Sequence, residues 1–120
     1  MAPKGTKMKT AILTSLMWIW ASYATAHSPL ESTSPAHAEI LTAAPNEIVL
    51  NFKGDIRLTR VVMTHTSHNT DLDLDGFKGF LSEYTIRMPS MGAGPYQIEW
   101  RGLGEDGHPM IGTFSFMVEE

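Results

Sequence analysis

Tyr96-Gln97-Ile98-Glu99-Trp100-Arg101 is the stretch that decides the fold. Large apolar residues at 96, 98 and 100 alternate with polar ones at 97, 99 and 101. A period of two puts each set on its own face of an extended strand, one face for a core and one for water. The same reading extends outward. Downstream, the turn-rich Gly102 to Pro109 connects to a last strand at Ile111-Gly112-Thr113-Phe114-Ser115-Phe116-Met117-Val118. Upstream, Met88 to Pro95 is a loop by its Pro and Gly content. Phe80 to Ile86 fits a strand or a short helix, and Tyr84 and Ile86 on one side of Thr85 favour the strand. Thr66 to Gly79 is polar and turn-rich, with Asp71, Asp73 and Asp75 at every second position.

Further upstream, Glu47-Ile48-Val49-Leu50-Asn51-Phe52 alternates as a strand, Lys53-Gly54-Asp55 reads as a turn, and Ile56 to Thr64 reads as a second strand or pair. Pro29, Pro35 and Pro45 argue against a long helix near the start, and Glu39-Ile40-Leu41 is too short to assign. Short strands at roughly ten-residue spacing predict an antiparallel β-sandwich or small barrel. The length predicts one domain.

The first 26 residues have a different character. Lys4, Lys7 and Lys9 precede an apolar run from Ala11 to Trp20, and Ala24-Thr25-Ala26 supplies small residues at the positions a signal peptidase reads. This is the layout of a secretory signal peptide over residues 1–26. The rival, a transmembrane anchor, needs an apolar run of about 20 residues, and this one is shorter. Cleavage after Ala26 leaves residues 27–120 as the mature domain, with His27 at its start carrying a free α-amine. The leader holds three of the nine Lys and Arg and none of the thirteen Asp and Glu, so the remainder carries a net charge of −7. That balance argues against a nucleic-acid partner. With no cysteine, disulfides and thiolate metal sites are excluded, and the fold must hold by its own core.

Two motifs carry chemistry. An N-terminal histidine chelates a metal through its α-amine and ring together, and an unperturbed α-amine has a pKa of only about 8. The plainer reading is that histidine merely follows the cleavage site. Asp106-Gly107-His108 places a carboxylate and an imidazole at i and i+2, which point the same way in an extended segment. The plainer reading here is a β-turn, since Asp-Gly is a standard turn dipeptide. Together His27, Asp106 and His108 offer three nitrogens and one oxygen, a set that suits tetragonal Cu(II).

A second grouping, Met63 with His65 and His68, has the ligand types for Cu(I), but one adjacent methionine argues against a soft-metal site. Met88 and Met91 read as apolar filler. Asp71, Asp73 and Asp75 resemble half of a calcium loop, but the twelfth position would be Ser82, so they read as a solvated turn. His37 has no visible partner. No nucleophile elbow, phosphate loop or Ser/His/Asp arrangement is present.

His27 after the leader, Ser34-Pro35, the run from Ala44 to Phe52 and then Ile56 to Val61 carry a family likeness. More specific is Gly94 to Arg101, continuing through Asp106-Gly107-His108-Pro109 to Gly112-Thr113-Phe114-Ser115-Phe116. Over almost the whole mature region the chain resembles the CopC family of exported copper-resistance proteins. The resemblance implies a seven-stranded, immunoglobulin-like Greek-key sandwich or barrel. It implies one Cu(II) held by His27, Asp106 and His108, a periplasmic role in copper transfer or sequestration, and an inner-membrane copper transporter of the CopD type as a partner. Some members carry a methionine-rich Cu(I) loop after the second strand; here that region reads Met63-Thr64-His65-Thr66-Ser67-His68. Some carry an acid just after the first strand's Phe; here Lys53-Gly54 follow Phe52, and Asp55 is the nearby carboxylate.

The expectation is therefore a copper chaperone or sequestering protein, not an enzyme. Two alternatives remain: a histidine-brace copper oxidase of the polysaccharide-monooxygenase type, and a metal-free immunoglobulin-like interaction module.

Overall fold

The computed structural model describes residues 29–120. The leader, residues 1–26, and His27 lie outside the described residues. Seven strands appear in chain order: β1 (Leu30–Ser34), β2 (Glu39–Leu41), β3 (Glu47–His65), β4 (His68–Asp71), β5 (Leu81–Arg87), β6 (Gly94–Gly104) and β7 (Pro109–Val118). There is no helix among the described residues. The path of pairing is β1-β3-β6-β7-β2, with β4 and β5 also paired to β3.

The all-β expectation is met, with four local corrections. Lys53-Gly54-Asp55 is not a turn between strands, because β3 runs unbroken through it. The first part of β3 lies between β1 and β5, and the second between β6 and β4. The chain thus passes from one layer to the other, and its register with β5 slips between Asn51 and Ile56. Gly54 has no atom within 4 Å of a built Cβ, so the bend lies in open surface. Its charged, glycine-centred composition mimics a turn, yet the Lys53 N–H still donates to the Pro29 carbonyl at 2.8 Å.

A second irregularity shows in the burial pattern. Ile56 and Leu58 face inward, but the next buried residues are Val61 and Met63. One extra residue therefore separates the two phases. The register with β6 shifts between Leu58 and Arg60, as a β-bulge requires.

The polar segment Thr66 to Gly79 contains β4, which returns along β3 through the tight turn Thr66-Ser67, with Thr66 at φ 55°. Glu39–Leu41 is a strand, and it pairs with β7 in parallel rather than antiparallel. The connection from β6 to β7 shrinks to four residues, 105–108.

The core lies where inward rows meet. Trp100 packs edge-on against Phe52 with ring centroids 5.0 Å apart, and Tyr96 stacks on Phe116 at 5.0 Å. Buried Tyr84 holds the bend of β3: its hydroxyl donates to the Ile56 carbonyl and accepts from the Leu58 N–H at 3.3 Å. Tyr84→Phe strands both backbone groups in a dry core, which costs about 1–3 kcal/mol. Urea unfolding should show that loss as a lower midpoint at unchanged slope; an unchanged midpoint would show that the hydroxyl does not hold the bend.

Candidate metal centre

Asp106 and His108 sit on the β6–β7 hairpin. Pairing between the strands closes as far as Leu103 with Pro109. Beyond it, the Gly107 N–H donates to the Gly104 carbonyl at 2.9 Å, and the Gly104 N–H donates to the His108 carbonyl at 3.0 Å. Gly107 takes φ 85°, the left-handed conformation that glycine adopts without steric cost. The loop is a β-turn followed by a glycine bulge, a standard way to join twisted strands.

Asp106 and His108 therefore do not lie in an extended segment, and strand alternation is not what joins them. The turn does so instead. Asp106 Oδ1 accepts the His108 backbone N–H at 3.1 Å, and Asp106 Oδ2 lies 2.7 Å from His108 Nδ1. These contacts, the backbone bond first, hold the Asp106 carboxyl below its usual range despite its exposure. Since the ionised carboxylate only accepts hydrogen bonds, Nδ1 carries the hydrogen and Nε2 is the ring nitrogen with a free lone pair. Each carboxylate oxygen keeps a second lone-pair site. Both side chains are well exposed, at 66% and 78%.

Gly104 makes room for this arrangement. A Cβ there would fall 3.0 Å from Asp106 Oδ1 and 2.7 Å from Met110 Cε. A cleft runs past these groups, lined by Pro29, Asp55, Glu105, Asp106 and Met110 among others. Pro29 is the first described residue, and its bond to Lys53 moors the N-terminal end of the described chain beside Asp106. Among the described residues, no group of three or more His, Cys, Asp or Glu comes together to hold a metal. His27, the third residue expected at the site, lies outside them.

The other candidates separate. Met63 is fully buried. His65 is buried as well, donating from Nε2 to the Ala93 carbonyl at 2.8 Å and packing on Tyr96 at 4.3 Å. A carbonyl only accepts, so that nitrogen has no lone pair to offer a metal. His68 pairs opposite His65 on the hairpin but is exposed. These three do not form a Cu(I) site. Met88 is buried filler, while Met91 lies in a loop held by the Tyr96 hydroxyl. Asp71 ends strand β4 and pairs with Arg60 at 3.0 Å, so it is not part of a turn, while Asp73 caps the Asp75 N–H at 2.8 Å in the exposed segment that follows. His37 does have a partner: its Nδ1 accepts the Ser115 N–H at 3.2 Å. Sequence reasoning missed Met110 as a neighbour of Asp106. The signal was present, since 110, 112, 114, 116 and 118 form the inward row of β7.

Comparison with known proteins gives the family and the fold. A family model described as the CopC domain matches residues 30–119. A curated relative, copper resistance protein C of Escherichia coli, is 27% identical over 131 residues, covering 93% of this chain and 98% of that protein. The crystal structure of CopC from Methylosinus trichosporium OB3b superposes with a TM-score of 0.65 at 24% identity, covering 78% of this chain and 94% of the other. That of PcoC, a methionine-rich copper resistance protein from Escherichia coli, gives 0.55 at 26% identity, covering 78% and 100%.

Proposed function

From the premise that the chain belongs to the CopC family, we propose that it is an exported, periplasmic Cu(II)-binding protein. It acts as a chaperone or sequestering protein in copper homeostasis or resistance. The ion is its cargo and no reaction is catalysed. Its ligands are His27, through both α-amine and ring, with Asp106 and His108, and it exchanges copper with an inner-membrane transporter of the CopD type. Among the described residues no helix is long and apolar enough to cross a membrane.

The observation that carries this reading is that Asp106, whose Oδ2 faces the His108 ring at 2.7 Å, lines one cleft with the moored Pro29. Two residues of extended chain span at most about 7 Å, which tethers His27 to Pro29 and so to the cleft that Asp106 lines. The donor types fit Cu(II), with a carboxylate held ionised and an exposed imidazole joined by an amine and a second imidazole; because the bond to Nδ1 leaves Nε2 facing away from the carboxylate, the His108 ring turns when both bind one ion. Asp55 and Glu105 line the same cleft and add two further carboxylates.

The test is to determine the mass of the exported protein and titrate that sample with Cu(II). A mass beginning at His27, one equivalent bound, and a melting temperature raised by about 10 °C at a hundredfold excess over Kd are expected. A mature start at any other residue, with copper bound equally well, sinks the proposed site. An unchanged melting temperature with no copper absorption leaves the chain as an interaction module.

A further inference from the structure

Five methionines fall among the described residues. Met63 and Met88 are buried in the core, and Met91 and Met117 are exposed elsewhere on the surface. Only Met110 lines the cleft that Asp106 lines. It is the first member of the inward row of β7, two residues beyond His108, and is half-buried beside the hairpin. Its thioether methyl and the Asp106 carboxylate converge over the bare Cα of Gly104, at 2.7 and 3.0 Å from where a Cβ would stand. Any side chain at 104 would push one of them away.

Resting on the Cu(II) reading above, we propose that Met110 is a soft ligand that lets the same centre retain Cu(I). A thioether is a poor donor to Cu(II) and a good one to Cu(I), whereas a carboxylate is the reverse. A centre with both groups over one glycine can exchange one for the other on reduction, while His108 stays bound. Met63, His65 and His68 offer the reduced ion no common face, because Met63 and His65 are buried while His68 is exposed. One centre would then hold copper in both oxidation states, and the cargo could be handed on whether the partner takes Cu(II) or Cu(I).

Met110→Leu conserves volume and removes only the sulfur, a swap that cores tolerate. The mature protein is loaded anaerobically with Cu(I) from its bicinchoninate complex, and separately with Cu(II). The variant should bind Cu(I) about tenfold more weakly while its Cu(II) affinity moves less than about threefold, so the midpoint potential falls by about 30–90 mV, and by about 59 mV where Cu(II) affinity is unchanged. X-ray absorption of the Cu(I)-loaded protein should show one sulfur neighbour that the variant lacks, a signature no packing role would produce. Unchanged Cu(I) affinity with Cu(II) binding intact, or no sulfur neighbour in the unsubstituted protein, overturns the inference. Failure of the unsubstituted protein to bind either ion overturns the copper reading itself.

Discussion

Replacing His108 with alanine is expected to weaken Cu(II) binding by at least about a hundredfold, since even groups that only orient a metal ligand cost 10–100-fold when removed. His108 would be the one ring donor of the site that the hairpin itself supplies. Its loss also takes away the nitrogen that faces Asp106 Oδ2 at 2.7 Å. The turn does not depend on the ring. The bonds of Gly104 with Gly107 and His108, and of Asp106 Oδ1 with the His108 N–H, all use the backbone of residue 108 or none of it. The ring is mostly exposed and contributes little to the core. The copper-free variant should therefore melt within about 2–4 °C of the parent, in keeping with the small effects of surface substitutions, about 0.5 kcal/mol. One extra alanine ahead of His27 should cost a similar factor, because it removes the α-amine from the chelate while leaving every described residue untouched. Chelator competition measures both. Wild-type affinity in either protein would remove the residue concerned from the ligand set.

The second large effect concerns the core. Gly112→Ala is expected to destabilise the fold by about 1–3 kcal/mol, the usual cost of overpacking, lowering the melting temperature by roughly 4–8 °C per kcal/mol. Gly112 stands opposite Trp100 in the β6–β7 register. A Cβ there would fall 2.7 to 2.8 Å from three atoms of the indole. The ring cannot step aside, since it is 1% exposed and wedged edge-on against Phe52. Its Nε1 finds no hydrogen-bond partner among the described residues, so packing alone sets its position. A strand glycine under a close neighbour is the expected arrangement. Gly54→Ala is the control: nothing lies within 4 Å of its Cβ, and its melting temperature should hardly move. Equal stability of the two variants would show that the Trp100 contact is not tight.

The contrast between these glycines shows how far the chain could be read before folding. Gly54 looked like a turn and is a bend inside one strand. Gly112 sat inside an alternating run and gave no sign that it seats an indole. Strands with one wet face, such as β6 and β7, announce themselves through their period. The short β2 and β4 are mostly exposed on both faces and leave no period to read. The Asp106-Gly107-His108 tripeptide was legible as a turn, which it is, and as the ligand pair proposed above. The reason expected for the pairing was wrong, because the residues meet through a tight turn and not through strand alternation. Met63 and His65 had suitable chemistry for a metal but face the interior, which only the bulge between Leu58 and Arg60 decides.

By itself, then, the sequence determined an all-β sandwich or barrel, because period-two amphipathicity and turn chemistry are local properties of the chain, and its motifs carried the resemblance to the CopC family. Only the tertiary structure decided that β3 runs unbroken between layers, that the Asp106 carboxylate faces the His108 ring, that His65 is locked to Ala93, and that Pro29 and Met110 share the cleft of Asp106. Each of these depends on register, bulges and side-chain direction, which are set when strands distant in sequence pair and bury a common face.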